Sequence, residues 1–191
     1  MERIAAKWDA VYAGLEPADS KPAAVLAENT YLLPDRGLAL DLACGLGGNA
    51  HYLAAAGLTV EAWDISAVAI DKLQAYADRQ GLNIKARQLN IDTNCLAGMC
   101  FDVIVVSRFL DRALSDAIIS ALKFNGLLFY QTFTRQKVDD SGPSCFDFLL
   151  AECELLTLFS ALTPVYYRDN GLLGDRDSGL RNEVQFIGQK R

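Results

Sequence analysis

Three glycines, Gly45, Gly47 and Gly48, stand between a short apolar run and a helical pattern. Where a strand of a parallel sheet ends and a helix begins, glycines let the backbone turn sharply and approach a ligand without a Cβ in the way. The string from Gly45 to Ala50 also satisfies one form of the dinucleotide-binding fingerprint. The glycines therefore indicate a small-molecule site without fixing its ligand.

Two acidic residues narrow the choice of ligand. Asp41 directly precedes the glycine turn, where its carboxylate can face an ammonium group, directly or through water, and would repel a pyrophosphate. Asp64 ends the next predicted strand, 23 residues later (64 minus 41), where a carboxylate can accept hydrogen bonds from both ribose hydroxyls. A cap for the helix near Ser66 is the alternative role of Asp64. Because S-adenosylmethionine carries both an ammonium group and a ribose, we expect this cofactor at the turn.

The next predicted strand ends in Asn90, Ile91 and Asp92, in line with the other two positions. A side-chain oxygen of Asn90 or Asp92 can accept the adenine amino proton while the backbone of Ile91 faces the ring. Which of the two does so depends on a register of one residue that the sequence leaves open. A turn held by an Asn or Asp side chain, without a ligand, explains the same residues equally well.

Further cofactor contacts are expected from residues beside these strand ends and from the N-terminal helix: Ala43, Asn49, Ile65, Ser107 and Trp8. Trp8 and Tyr12 are one helical turn apart and can close over the cofactor, although an ordinary apolar helix face explains their spacing as well.

The elements predicted to position these residues are strands and helices in strict alternation. Strands are predicted at 38–43, 58–63, 84–91, 101–107 and 127–133, and helices at 49–56, 66–79 and 115–123. This alternation predicts a parallel sheet with helices on both faces. After a helix at 152–161, strands at 164–168 and 182–189 are joined without a helix, which favours an antiparallel pair. We therefore predict an α/β fold with a doubly wound, mostly parallel seven-stranded sheet and a C-terminal antiparallel hairpin.

The bulk composition fits one domain over residues 1–191, with a helical cap at 1–33 (helices 4–13 and 22–33) and a Rossmann-like core at 34–191. The net charge of −6 disfavours nucleic acid and anionic membranes, so a small-molecule partner is expected. No apolar run reaches the ~20 residues of a membrane span and no secretion signal is present, which predicts a cytoplasmic protein. Five cysteines without a paired motif and one histidine, His51, predict no metal site.

A family resemblance rests on the run Leu40-Asp-Leu-Ala-Cys-Gly-Leu-Gly-Gly-Asn-Ala-His-Tyr-Leu53, on Ala62-Trp-Asp64 and on Trp8-Asp-x-x-Tyr12. These motifs resemble the tellurite-resistance methyltransferases and their class I relatives, which include thiopurine-type enzymes. The likeness extends to the final Leu180-Arg-Asn-Glu-Val-Gln-Phe-Ile-Gly-Gln-Lys190 and covers nearly the whole chain. It implies binding of S-adenosylmethionine and methyl transfer to a small soft nucleophile, such as a thiol or a chalcogen oxyanion.

The chain departs from that family in three ways. Ala43 stands where glycine is usual, no basic residue lies near Gly48, and the histidine-containing cluster of a dedicated tellurite enzyme is missing. The resemblance therefore implies the methyl-transfer chemistry more firmly than tellurite as the acceptor.

The acceptor side is expected to depend on arginines. Transfer from a sulfonium is an in-line displacement that needs alignment and exclusion of water more than a general base. An anionic acceptor would be bound by Arg108, directly after the strand at 101–107. Arg112 is a further candidate, but a surface ion pair with Asp111 or Asp116 is the preferred explanation for it. Arg181 is included because of the resemblance, and Tyr12 because it can close the site.

Three other functions fit parts of the pattern. An NAD(P)-dependent oxidoreductase would use the same glycines and Asp64, but Asp41 and the terminal hairpin disfavour it. A cofactor-binding protein of this fold without catalysis is also compatible with the sequence. A nucleic acid methyltransferase is disfavoured because Ser107, Arg108 and Phe109 replace the Asn/Asp-Pro-Pro-aromatic motif of the amino-methylating DNA enzymes.

Overall fold

The computed structural model describes residues 2–191 and contains seven strands and six α-helices within that range. The strands are β1 (Leu38–Leu42), β2 (Thr59–Asp64), β3 (Ile84–Gln88), β4 (Phe101–Ser107), β5 (Leu122–Phe133), β6 (Thr163–Arg168) and β7 (Glu183–Gln189). The helices are α1 (Glu2–Tyr12), α2 (Ala24–Ala27), α3 (Gly48–Ala55), α4 (Ala67–Gln80), α5 (Ser115–Ala121) and α6 (Glu154–Leu158).

All seven strands belong to one sheet in the order β3-β2-β1-β4-β5-β7-β6. Strands β1 to β5 pair in parallel, whereas β7 runs antiparallel to both β5 and β6. The predicted doubly wound sheet with a terminal antiparallel hairpin is confirmed. The strand order reverses between β1 and β4, and such a reversal opens a ligand crevice at the carboxyl ends of the strands.

Each face of the sheet carries its own apolar core because successive residues of a strand point to opposite sides. Leu40 and Ile104 belong to the core that α5 and α6 cover. Ala39 and Val103 belong to the core that α2, α3 and α4 cover. With helices on both faces, the carboxyl edge of the sheet is left as the place for a site.

The helix predicted at 22–33 is wrong in extent, because the structure has only α2 and a separate 3-10 turn at Thr30–Leu32. The side chains of Asn29 and Thr30 bond to backbone carbonyls four and three residues earlier, both over 3.0 Å. Such side-chain bonds compete with the backbone ladder and favour turns.

Two further boundaries differ from the prediction. β5 begins at Leu122 instead of 127, and its pairing with β4 contains an irregularity near Asn125, which has φ of +66°. The helix predicted at 152–161 is α6 alone, since Cys153 adopts a left-handed conformation directly before it. Among residues 2–191, no helix is both long and apolar enough to span a bilayer.

Candidate active site

The glycine turn between β1 and α3 is built from residues with left-handed backbones. Gly45 and Gly47 have φ of +51° and +80°, and a Cβ on Gly47 would collide with the side chain of Leu73 on α4. Ala43 has φ of +58°, a conformation that costs an L-residue about 1–2 kcal/mol. This position is the one at which the family usually has glycine, so the departure carries a backbone strain.

Asp41 lies beneath this turn and has no exposed surface. Its carboxylate accepts hydrogen bonds from the backbone N–H of Ala50 over 3.0 Å and from Nδ2 of Asn49 over 3.2 Å. Burial raises the pKa of Asp41 to about 7, although both hydrogen bonds act in the opposite direction. The carboxylate therefore supports the start of α3.

Asn49 joins the turn to two other segments at the carboxyl edge. Its Nδ2 also donates to Oγ of Ser107, at the end of β4, over 3.0 Å. Its Oδ1 accepts the backbone N–H of Ala23 over 2.8 Å. A Cβ on Gly48 would collide with the carbonyl oxygen of Lys21, so this segment lies directly on α3. The predicted residues Asp41, Asn49 and Ser107 are thus brought together.

Asp64, at the end of β2, binds the same turn from the other side. One carboxylate oxygen accepts the backbone N–H of Gly45 over 2.8 Å, and the other accepts that of Ser66 over 2.9 Å. Burial raises the pKa of Asp64. The cap of α4 is Ser66, whose hydroxyl accepts the N–H of Ala69 over 3.1 Å. Asp64 therefore orders the start of α4 without being its cap.

Tyr12 covers the glycine turn from the N-terminal helix. A Cβ built on Gly45 would lie 2.7 Å from the Tyr12 hydroxyl, so only glycine permits this approach. Trp8 stacks on Tyr12 with ring centroids 5.8 Å apart, and α1 contains no buried residue. A core-facing helix is therefore the wrong explanation for these aromatics. Burial, followed by the charge of Asp64, raises the pKa of Tyr12, which keeps the phenol protonated.

Polar contacts hold α1 against α4. Asp9 accepts hydrogen bonds from Oγ of Ser66 over 2.6 Å and from the N–H of Val68 over 3.2 Å. Nζ of Lys72 donates to three backbone carbonyls at and after the end of α1, those of Tyr12, Ala13 and Leu15. Sequence reasoning missed Asp9, although it lies between Trp8 and Tyr12 in the motif that carried the resemblance.

A cavity of about 250 Å³ lies beside Asp64, between α1 and the ends of β2 and β3. Ile65 and Asn90, two residues predicted to contact the cofactor, both line it. The remaining lining residues are Glu2, Ala5, Gln88 and Leu89.

Asn90 and Asp92 have different environments after β3 ends at Gln88. Oδ1 of Asp92 accepts the backbone N–H groups of Asn94 and Cys95 over 2.8 and 3.1 Å, so this carboxylate stabilises a local turn. Ile91 packs against the core on the α5 side of the sheet. Of the two candidates for adenine recognition, the cavity therefore favours Asn90.

Arg108 follows β4 at the carboxyl edge with a left-handed backbone, φ +52°. Its Nε donates to Oε1 of Glu183 over 2.9 Å, while 69% of its side chain is exposed. Sequence reasoning missed Glu183, although it lies in the C-terminal motif that carried the resemblance and is an ionisable residue in a predicted strand.

The other two arginines are engaged elsewhere. Arg181 donates from its guanidinium to backbone carbonyls of its own loop, those of Asn170, Gly171, Asp175 and Ser178. The structure therefore does not bring Arg181 to the glycine turn. Arg112 binds Glu154 at the start of α6, with Nη2 3.1 Å from Oε2, so the expected partners Asp111 and Asp116 were wrong.

The family model described as "Tellurite resistance protein TehB" matches residues 24–187. The chain belongs to the TehB family. The identification from the sequence, as a TehB-like member of the class I methyltransferases, is confirmed. The matched range includes the glycine turn, Asp64, Asn90, Arg108 and Glu183, whereas α1 precedes it.

Similar proteins agree with this assignment to the TehB family. A curated relative from Haemophilus influenzae, "Probable S-adenosyl-L-methionine-dependent methyltransferase TehB", is 30% identical in an alignment of 154 positions that covers 77% of this chain and 54% of the relative. The chain thus spans about half the length of the curated relative it matches.

Solved structures share the fold. The crystal structure of TehB from Haemophilus influenzae superposes with a TM-score of 0.71 at 23% identity, covering 96% of this chain and 67% of that chain. A methyltransferase described as SAM-dependent from Methanosarcina mazei has a TM-score of 0.66 at 21% identity, covering 89% and 98%.

Proposed function

We propose that this chain is an S-adenosylmethionine-dependent methyltransferase whose acceptor is a small, soft or anionic molecule, a thiol or a chalcogen oxyanion. The observation that carries the proposal is the pair of buried carboxylates, Asp41 and Asp64, on either side of the Gly45 turn. The charge of Asp64 contributes to the raised pKa of Asp41. Such a site favours a cationic ligand and disfavours a pyrophosphate.

The residues present fit this cofactor. Each carboxylate oxygen of Asp64 accepts one backbone N–H and retains a second lone pair for a ribose hydroxyl. The cavity lined by Ile65 and Asn90 adjoins it and offers apolar walls and an amide for adenine. Above Gly45, the protonated Tyr12 can donate a hydrogen bond to the ligand. The bound cofactor would supply a methyl group carried on a positively charged sulfur. The leaving group in the transfer would be the neutral thioether.

On the acceptor side, the proposal assigns anion binding to Arg108. Its Nε is taken by Glu183, and its Nη1 and Nη2 make no hydrogen bond to any residue in the range 2–191. Two parallel donors on a planar group suit an oxyanion, and they also suit a thiolate, which needs no base to react. Tyr12, on which Trp8 stacks, lies over Gly45 and would cover a ligand bound at the turn. Nothing in the geometry supports an acceptor role for Arg181, which stays a prediction.

The curated relative's description, a probable S-adenosyl-L-methionine-dependent methyltransferase, is consistent with this proposal. A cytoplasmic location belongs to the same proposal, since all five cysteines are free thiols.

The test is a screen of acceptors with methyl-labelled S-adenosylmethionine, read by mass spectrometry. We expect labelled product from thiols, selenite or tellurite. Arg108→Ala should lower kcat/KM for that acceptor by at least about 10- to 100-fold, since hydrogen bonds to a charged group are lost, without changing cofactor affinity. Arg108→Lys should restore only part of the loss, because a point charge cannot replace a planar fork.

Arg79→Ala, on the exposed last turn of α4, is the matched control and should behave as wild type. Loss of cofactor binding in Arg108→Ala would assign this arginine to the cofactor's carboxylate. Label in none of these acceptors would contradict the proposed acceptor class.

A further inference from the structure

We infer that Glu183 is a positioning residue, which holds the Arg108 guanidinium in the orientation that presents Nη1 and Nη2 to an anionic acceptor. The inference rests on the proposed methyl-transfer site and deepens its acceptor side. Glu183 is the first residue of β7, a strand antiparallel to β5, so its side chain reaches the carboxyl edge where β4 delivers Arg108.

The pair is asymmetric in exposure. The Glu183 side chain is 6% exposed and that of Arg108 is 69% exposed, with 2.9 Å between Oε1 and Nε. The Arg108 backbone is fixed as well, because its N–H donates to the carbonyl oxygen of Gln131 over 2.8 Å. A guanidinium held at the backbone and at Nε can turn only its two Nη groups outward.

Glu183 is itself fixed by an ordered chain of hydrogen bonds. Its second oxygen accepts Nε2 of Gln131. Oε1 of Gln131 accepts Nε2 of Gln185 over 3.2 Å, and Oε1 of Gln185 accepts the hydroxyl of Tyr166 over 3.1 Å. Every donor in this series of hydrogen bonds points toward Glu183, and aligned hydrogen bonds of this kind polarise and strengthen one another.

A backbone group sets the direction of that chain. Oε1 of Gln131 also accepts the N–H of Val25 over 2.8 Å. Since a backbone N–H can only donate, the Gln131 amide oxygen must face Val25 and its NH₂ must face Glu183. Residue 183 therefore receives donors from both sides, from Gln131 and from Arg108. A carboxylate satisfies both, whereas an amide would set its own NH₂ against one of them.

This requirement separates a positioning role from simple occupation of space. Glu183→Gln keeps the size of the side chain but conflicts with either Gln131 or Arg108. Exchanging the two residues, Gln131→Glu with Glu183→Gln, restores the pattern. The new carboxylate at 131 accepts Val25, Gln185 and the new amide at 183, whose oxygen again accepts Nε of Arg108.

The experiment measures selenite binding by calorimetry to protein saturated with S-adenosylhomocysteine. We expect Glu183→Gln to weaken selenite binding about tenfold with unchanged S-adenosylhomocysteine affinity. In an Arg108→Ala background the same change should have no further effect, because Glu183 acts through that arginine. The exchanged pair should recover most of the affinity, and it serves as the test if Glu183→Gln alone does not fold.

Glu28→Gln is the matched control, since it breaks an exposed ion pair with Arg168 and should leave selenite affinity unchanged. Wild-type selenite affinity in Glu183→Gln, or an equal loss with and without Arg108, would overturn the inference while leaving the proposed function intact. If wild-type protein binds S-adenosylhomocysteine but neither selenite nor tellurite, an oxyanion acceptor is wrong, and the inference fails with it.

Discussion

The carboxylate of Asp64 accepts the backbone N–H of Gly45 over 2.8 Å, which joins the end of β2 to the turn that follows β1. Its other oxygen accepts the N–H of Ser66 at the start of α4. One buried side chain therefore shapes both the glycine turn and the neighbouring helix. A residue that binds ribose from this position must contribute to folding as well as to affinity.

Asp64→Asn should accordingly lower two quantities. The free energy of unfolding should fall by about 1–3 kcal/mol, since one buried N–H loses its acceptor. The affinity for S-adenosylhomocysteine should fall by about 1.5–3 kcal/mol, the value of hydrogen bonds to a charged group. Urea denaturation and calorimetry measure the two effects separately.

Asp71→Asn is the control for Asp64→Asn, because Asp71 is an exposed aspartate on α4. It should change neither quantity. An Asp64→Asn protein that is destabilised yet binds the cofactor product as wild type does would reduce Asp64 to a structural residue.

Ala43→Gly should stabilise the protein by about 0.5–1 kcal/mol. The left-handed backbone of Ala43 is strained for an L-residue, and glycine relieves that strain at the cost of some backbone entropy. Ala75→Gly, at an exposed position within α4, should instead destabilise by about 1 kcal/mol. Equal destabilisation by both substitutions in urea would show that Ala43 is not left-handed.

Asp41 should make the stability of the free protein depend on pH. Burial raises its pKa from 3.8 to about 7, so between these values the native state holds a proton that the unfolded chain has lost. Stability should therefore fall as pH rises, by at most about 1.4 kcal/mol per pH unit. The stabilisation that protonated Asp41 contributes to the free energy of unfolding is complete below pH 3.8 and is lost above about pH 7.

Urea titrations of wild type and Asp41→Asn between pH 5 and pH 8 test this expectation. The variant mimics the protonated form, so its profile should lack the fall in stability that Asp41 causes. Asp64, whose pKa is raised, and His51, whose pKa burial lowers, act in opposite directions and are the same in both proteins. Parallel profiles for the two proteins would mean that Asp41 titrates normally.

The order of elements could be predicted from the sequence because strands and helices of this fold have distinct periods and turn residues. Asp41, Gly45 and Asp64 could be placed for the same reason, since each stands at the end of a predicted strand. The choice between Asn90 and Asp92 required coordinates, because it depends on where β3 ends and on a local turn that occupies Asp92.

Contacts between segments far apart in the chain could not be predicted. Asp9 meets Ser66 only because α1 packs on α4, and Arg108 meets Glu183 only because β7 runs antiparallel to β5. The length of helix 22–33 was mistaken because periodicity does not show that Asn29 and Thr30 bond to the backbone. Arg181 was assigned from a resemblance, whereas its environment is set by the fold of its own loop.

The glycine turn is expected to hold S-adenosylmethionine or its demethylated product. Urea denaturation should be compared in the presence of S-adenosylhomocysteine, NAD and NADP at equal concentrations. At 100 times its dissociation constant, S-adenosylhomocysteine should add about 2.7 kcal/mol to the free energy of unfolding, and the two dinucleotides should add nothing. Stabilisation by NAD or NADP, with none by S-adenosylhomocysteine, would contradict the account.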